Sequence, residues 1–407
     1  MSKMNCPNIR FKNEFGNDFS RWEKSCLGDR FKFSSGKGLS KNDVSESGKR
    51  LCLLYGELFS KSAVVSDDEF SLTNVYFKNE KLSDGGEVLI PNSDVTPTGL
   101  ATASCILKKG VILGGGANIL TPNKTTDGIF VAYMLRRFPQ KMLRIVTGTT
   151  VRHLHNSELA KLEYLFPCLE EQQKIASFFS TLDEKIQCTE KALNLTSKIF
   201  AYFLNRYIVD ATQSNSCLFE EIASISSASR VHKKEWLNDG VPFFRSSDVV
   251  SKFKNQENSL GKAYISPELY KKLTKKSGEL KKGDILVTGG GSVGIPYLIE
   301  SDDPIYTKDA DLLWIKPKSE CINSKFLYYY IVSKAFRSEL NKISHQGTIS
   351  HLTISQLKKF LIPTPAISEQ KRIVNNLDLF SLKLNILRKK LVLLESLKKG
   401  FMQQMFV

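Results

Sequence analysis

The most regular feature of the chain is a hydrophobic seam with a period of about 3.5 residues. Positions spaced alternately by four and three hold Ile175, Phe179, Leu182, Ile186, Thr189, Leu193, Thr196, Phe200, Phe203 and Tyr207, interrupted only by the two threonines. In the same frame a second seam holds Ile373, Leu377, Phe380, Leu384, Leu387, Leu391, Leu394, Lys398, Phe401 and Met405, with only Lys398 polar. A seam of this period and length belongs to a helix that packs along another helix, so its apolar members are the expected coiled-coil interface. Pro167 and Pro365 end the extended segments before the seams. Glu170 and Glu171, and Glu369 in the second copy, fall in the first helical turn, where they complement the dipole. At ~1.5 Å per residue, about 39 helical residues make a rod roughly 58 Å long. Core helices of a bundle would carry a similar seam, although helices of that length are rare inside a small domain.

The seams belong to a larger repeat. His153, Leu154, Ser157, Leu159, Lys161, Pro167, Glu171, Gln172 and Ile175 recur at one constant offset of 198 residues as His351, Leu352, Ser355, Leu357, Lys359, Pro365, Glu369, Gln370 and Ile373. The chain is therefore two tandem halves. Its 407 residues suit two domains of roughly 150 residues plus connecting structure. The expected organisation is an N-terminal segment 1–19, a first lobe 20–168, a first long helix 169–212, a second lobe 213–366 and a second long helix 367–407.

The lobes read as α+β. Strands are expected at Arg50–Leu54, Glu87–Ile90, Val111–Leu113, Asp284–Thr288 and Leu312–Ile315, and helices at Ile129–Arg137, Pro267–Leu273 and Lys325–Leu340. LKKGVIL before Gly114-Gly115-Gly116 and LKKGDILVT before Gly289-Gly290-Gly291 suggest a shared skeleton. Gly289 to Gly294 matches the dinucleotide-binding spacing G-x-G-x-x-G, which needs a helix directly afterwards to hold a pyrophosphate. Ile295 to Ile299 reads as a strand instead, so the glycines suit a tight turn or a close backbone approach to a phosphate.

Composition narrows the class of protein. A chain 41% hydrophobic and 25% charged is ordinary globular protein. No run reaches the ~18 to 20 apolar residues of a membrane-spanning helix, and the N-terminus lacks the apolar core of a signal peptide, so a cytoplasmic protein is expected. The eight cysteines form no C-x-x-C pair or zinc-finger cluster, so no metal site is expected and the thiols read as free and mostly structural. His153 and His351 recur without metal-ligand spacing and read as structural residues of the junction.

Charge points outward. Lys and Arg number 58 against 42 Asp and Glu, a net +16 with a pI near 9.3, which favours a polyanionic partner. Lys271, Lys272, Lys275, Lys276, Lys281 and Lys282 form a dense stretch that reads either as a solvated face or as phosphate contacts. Candidate DNA contacts are Lys37, Lys41, Tyr55 and Asn118 in the first lobe. In the second they are Arg245, Ser246, Ser247, Lys252, Lys275, Lys276, Gly290, Ser292, Gln346 and Thr348.

The duplicated HLxxSxLxK…P…EQxxI junction, the heptad helices after it and the two unlike basic lobes together resemble the specificity subunits of type I restriction-modification systems. Pro7-Asn8-Ile9-Arg10-Phe11, Trp22, Leu27-Gly28, Gly36 to Ser40, Leu51 to Glu57, Ala101 to Cys105 and Gly114 to Leu120 look like that family's first recognition domain. The resemblance spans essentially the whole chain. It implies two target-recognition domains joined by two long antiparallel coiled-coil spacer helices with pseudo-twofold symmetry. Each domain would read one half of a bipartite site on double-stranded DNA, with the helix pair as a ruler and a dock for two modification (methyltransferase) subunits, through which restriction subunits join. The chain departs from the family pattern where Leu182-Asp183 is answered by Phe380-Ser381, and where Thr189, Thr196 and Lys398 interrupt the seams.

The sequence has no Pro-Pro pair for an adenine-methyltransferase motif and no G-x-x-x-x-G-K-[ST] loop for ATP. It is expected to be non-catalytic and without a cofactor of its own, S-adenosylmethionine, ATP and magnesium belonging to its partners. An assembly adaptor without sequence-specific DNA binding, or a nuclease, are the competing classes. The first is opposed by net charge combined with unlike lobes on like scaffolds, the second by the lack of any coherent acidic constellation.

Overall fold

The computed structural model describes residues 6–60, 64–66, 70–254, 263–307, 312–343 and 351–407. Both seams lie on continuous helices, Leu169–Thr212 of 44 residues and Ile367–Gln404 of 38, with Met405 one residue past the second. No helix among the described residues is long and apolar enough to cross a membrane.

Contacts divide the chain into two compact units, Met1–Lys191 with Lys389–Val407, and Ala192–Arg388. Each long helix gives one portion to each unit. In the first unit Phe178 meets Phe401 edge-on, ring centroids 5.1 Å apart, and Lys398 pairs with Asp183. In the second, Phe203 stacks on Phe380 at 5.5 Å, and Asn376 Nδ2 donates to the Tyr207 hydroxyl at 3.3 Å. Rising numbers on one helix meet falling numbers on the other, so the paired segments within each unit are antiparallel.

The long helices serve two purposes. Ile175 and Phe179 enter the first unit's core with Trp22, Phe130 and Tyr164, and Met405 and Phe406 close it. In the second unit Leu204, Ile208, Ile373 and Leu377 complete a core built on Phe219, Phe326 and Tyr330. Of the expected interface residues, Ile175, Phe179, Leu182, Ile373, Leu377 and Leu384 are buried, while Ile186, Leu193, Phe200, Phe203, Phe380, Leu387, Leu391, Leu394 and Phe401 are half-buried. Thr189 is also buried in the seam. Its hydroxyl donates to Lys185 O at 2.7 Å, so the polar atom is satisfied inside its own helix and the layer stays packed.

Both lobes are α+β and share the order of four main-sheet strands, to which the first lobe adds an edge strand. The first has a sheet in the order Phe31–Ser35, Ala117–Pro122, Glu87–Pro91, Ser104–Ile106, Val65–Ser66. The second has Ala223–Ser226, Leu312–Pro317, Ile285–Thr288, Pro296–Leu298. Beside each lies a three-stranded sheet whose middle strand pairs antiparallel on one side and parallel on the other. Arg50–Leu53 lies between Ser71–Thr73 and Ile112–Leu113, and Val241–Phe244 between Tyr264–Ile265 and Tyr306–Thr307. A two-stranded ribbon ties each lobe's start to the strand before its proline, Glu23–Cys26 to Glu163–Phe166 and Ser216–Leu218 to Leu361–Pro363.

This topology corrects the shared skeleton inferred from LKKG. LKKGVIL leads into Ile112–Leu113, the parallel partner of Arg50–Leu53. LKKGDILVT leads into Ile285–Thr288, an inner strand of the main sheet whose counterpart is Glu87–Pro91. The local likeness reflects one turn chemistry used twice, glycine at φ +78° in Gly110 and +96° in Gly283, a conformation other residues avoid. The helix expected at Lys325–Leu340 is two, Ser324–Val332 and Lys334–Lys342. Ser333 is extended, at ψ 163°, and caps the second helix by accepting from Phe336 N, which stops the first. All eight cysteines are free thiols, as expected, and Cys52 and Cys105 are the two that are buried.

Candidate nucleic-acid interface

The lobes are positioned by a duplicated polar junction at the start of each long helix. Gln172 is fully buried. Its Oε1 accepts from Asp127 N at 2.9 Å, and its Nε2 donates to Thr125 O at 3.2 Å and Pro167 O at 2.9 Å. Gln370, also fully buried, accepts from Asn323 N at 2.7 Å and donates to Cys321 O at 3.3 Å and Pro365 O at 2.8 Å. Asp127 and Asn323 are the N-caps of the lobe helices Gly128–Arg137 and Ser324–Val332. Each glutamine therefore fastens a lobe helix to a long helix at a fixed register. Glu171 does more than complement a dipole: buried, it accepts from Arg10 Nε at 2.9 Å and Trp22 Nε1 at 3.2 Å. Glu369 pairs instead with Arg372 on its own helix.

Six residues past its N-cap, each lobe helix sends a tyrosine to a carboxylate on the long helix. Tyr133 donates to Asp183 Oδ2 at 2.7 Å, and Tyr329 to Asp378 Oδ1 at 2.7 Å. Burial, then the neighbouring carboxylate, pushes both phenols above their ordinary range. The departure at Phe380-Ser381 is thereby explained. The first helix carries Ser180 and Asp183 at positions where the second carries Asp378 and Ser381, so carboxylate and hydroxyl have exchanged places across one turn. Lys398, the polar interruption of the second seam, supplies the cation beside Asp183; Lys325 supplies it beside Asp378, at 2.7 Å.

In the first lobe the structure brings Lys41 and Tyr55 to one cleft, while Lys37 lies outside its lining and is placed by its backbone alone. Lys41 and Tyr55 line it with Leu39, Ser40, Gly56 and Gly115. Lys37 N donates to Leu113 O at 3.2 Å, Gly115 N to Gly38 O at 2.9 Å. Tyr55 is 44% exposed and lies over Gly116, where a Cβ would come within 2.7 Å of the ring. Asn118 does not belong to this face. It is 2% exposed, and its Nδ2 donates to Leu154 O at 2.7 Å: the inward side of an inner strand has placed it in the core as a structural clamp.

In the second lobe Arg245, Ser246 and Ser247 sit where Val241–Phe244 turns into the helix Ser246–Phe253. Asp248 accepts from Arg245 Nε at 2.9 Å and NH2 at 3.1 Å, which holds the guanidinium in one plane, raises its pKa and leaves it 5.5 Å from the Trp236 ring. Lys252 Nζ lies 5.4 Å from the Phe244 ring and 5.5 Å from Tyr297. Lys275 and Lys276 are exposed on a separate helix, Pro267–Ser277. Gly290 and Ser292 lie in the hairpin turn between Ile285–Thr288 and Pro296–Leu298, where Gly294 N donates to Thr288 O at 2.7 Å. No helix follows, so the glycines close a strand turn. Gln346 and Thr348 lie outside the described residues. Trp236 and Tyr297 were not candidates; the signal was aromatic residues flanking cations that are distant in sequence.

His153 and His351 have exposed side chains, and their backbones bridge to Ser93 and Gly290. The following residues, Leu154 and Leu352, are buried and account for the packing of the motif. Among the described residues no group of three or more His, Cys, Asp or Glu is placed to hold a metal ion.

Two like lobes, each tied by the same buried glutamine to a long helix, with cationic faces of unlike composition, describe a paired recognition scaffold. The family model for the type I restriction modification DNA specificity domain matches residues 20–196 and 218–396, and the chain belongs to that family. The type I restriction enzyme MjaVIII specificity subunit of Methanocaldococcus jannaschii is 22% identical, over 94% of this chain and 91% of its own length. The EcoBI specificity subunit of Escherichia coli is 23% identical over 57% of this chain and 54% of its own. In fold, the chain is similar to the type I restriction-modification S subunit of M. genitalium, with a TM-score of 0.66, 15% identity and 99% of both chains covered.

Proposed function

We propose that this chain is the DNA-specificity subunit of a type I restriction-modification complex, in which each lobe reads one half of a split target and the helix pair sets the distance between halves. The observation that carries this is the duplicated lobe topology bearing unlike surface residues on a duplicated, rigidly bonded junction. Similar scaffolds then perform the same task on different sequences. Half-sites about one turn of DNA apart, roughly 34 Å, suit domains carried on such rods.

Modification subunits dock on the helices. In the second unit Leu195, Tyr202 and Val209 of the first helix and Leu379, Leu382 and Ile386 of the second are exposed; in the first unit so are Val392, Leu393 and Leu397. These positions lie off the buried seams, and apolar residues gathered on helix faces in this way mark protein interaction surfaces. Restriction subunits join through the modification subunits. The chain itself is non-catalytic and acts in the cytoplasm, with S-adenosylmethionine, ATP and magnesium on its partners.

The test is domain exchange. With residues 20–166 replaced by the equivalent domain of a relative, methylated adenines in cellular DNA should report a new sequence in one half of the target and the old one in the other. A target changed in both halves, or binding indifferent to sequence at stated salt, refutes the proposal; the second result favours an assembly adaptor.

A further inference from the structure

The two lobes share a corner whose sequences are unrelated. Arg50–Leu53 runs into the short helix Glu57–Ser60, and its counterpart Val241–Phe244 into Ser246–Phe253. In each the turn is held by a buried carboxylate that reaches back three residues. Glu57 Oε2 accepts from Leu54 N at 2.8 Å, and Asp248 Oδ2 accepts from Arg245 N at 2.9 Å. The carboxylates are 8% and 4% exposed. Each is engaged a second time, Glu57 by Ser71 Oγ at 2.5 Å and Asp248 by the Arg245 guanidinium. The shared bond aligns Leu54 with Arg245, Tyr55 with Ser246, and Gly56 with Ser247.

The corners are held by the same backbone bond, and what they present differs. In the first, exposed Tyr55 and Lys41 share a cleft. In the second, Arg245 lies over Trp236 and Lys252 between Phe244 and Tyr297. Cations interleaved with aromatic rings suit a nucleic-acid backbone and its bases. Rigid positions that vary between otherwise equivalent lobes suit sequence discrimination.

We infer that these corners are equivalent reading edges: residues 54–56 and residues 245–247 face base edges at corresponding positions of the two half-targets, with Lys41 and Lys252 on flanking phosphates. This rests on the DNA-specificity reading above and adds where in each lobe the bases are read.

The test uses the full chain in complex with its modification subunits and a randomised duplex library, methylation being the readout. Tyr55→Ser should change the preferred base at one position of one half-target, and Ser246→Tyr at the corresponding position of the other. Each change should be roughly fivefold to a hundredfold, as expected of a single direct base contact. The half read by the unaltered lobe should stay as it was, which also reports that the complex assembled. Should either exchange unfold its lobe, Tyr55→Phe and Ser246→Thr carry the same test at smaller amplitude. Unchanged preference in both halves, or a uniform loss of methylation across all sequences, overturns the assignment of the corners while leaving two-lobed recognition in place. An unaltered complex that methylates without sequence preference overturns the underlying proposal instead.

Discussion

Replacing Gln172 by methionine isolates the contribution of the junction. The side chain is fully buried, and methionine nearly preserves its volume, so little cavity forms and the loss is one of hydrogen bonds. Three bonds of 2.9, 3.2 and 2.9 Å disappear, leaving the Pro167 carbonyl unpaired in a buried site and the Asp127 N–H and Thr125 carbonyl unpaired in part-buried ones. At about 1 kcal/mol for each lost bond, and more where a buried group is left unpaired, the cost is about 3 to 5 kcal/mol. For a unit of this size, shifts of ~2 to 4 °C per kcal/mol lower its melting transition by roughly 6 to 20 °C. Calorimetry resolves this if the first unit, Met1–Lys191 with Lys389–Val407, melts apart from the second. Gln370→Met should lower the other transition, whereas methionine at exposed Gln173 should move neither. A shift below about 2 °C for Gln172→Met would mean that water or a shifted backbone satisfies the junction, and that the glutamine does not fix the lobe.

The remaining expectations follow from the same contacts. Tyr133 and Tyr329 have phenols raised by burial, and burial pushes Tyr328 up to about 12. Between the unfolded value near 10 and the raised folded value, the unfolded chain has released protons that the folded chain retains. The tyrosine contribution to stability should therefore be level up to about pH 10 and fall above it; Tyr133→Phe should lessen that fall, and an unchanged denaturation profile above about pH 10 would count against the buried phenol. Lys252→Gln should weaken DNA binding at all sequences alike and lower the slope of log affinity against log salt by about 1; a changed sequence preference would make Lys252 a base reader instead. Inserting one heptad into each long helix should lengthen the unspecified spacer while both half-targets persist, measured by the spacing of methylated adenines.

Which parts of this molecule were legible in its sequence follows from the range of the forces involved. The long helices could be located because their burial is one-dimensional: a seam repeating every three or four residues records its partner in local sequence, and the run from Ile175 to Tyr207 is such a record. The recurrence of Gln172 as Gln370 was equally visible, but not its role. The bonds to Asp127 and Thr125 exist only once the lobe has folded back, from 45 and 47 residues away. The lobes failed as a pattern for the opposite reason. Their strands are short, and LKKG before Ile112 and before Ile285 makes the same local turn, while strand order, which decides equivalence, is set by pairings distant in sequence. Asn118 illustrates the cost at single-residue scale. A polar residue beside a glycine turn has the composition of a base reader, and only the alternation of an inner strand turns it inward to Leu154. Tyr55 and Arg245 stayed outward because each sits past the last residue of a strand, where the pleat no longer dictates direction and a buried carboxylate does, Glu57 two residues after Tyr55 and Asp248 three residues after Arg245. Scaffold positions must keep hydrogen-bond geometry in both halves, whereas a corner fixed through its backbone leaves its side chains open to change, and for that reason one architecture can hold two different readers.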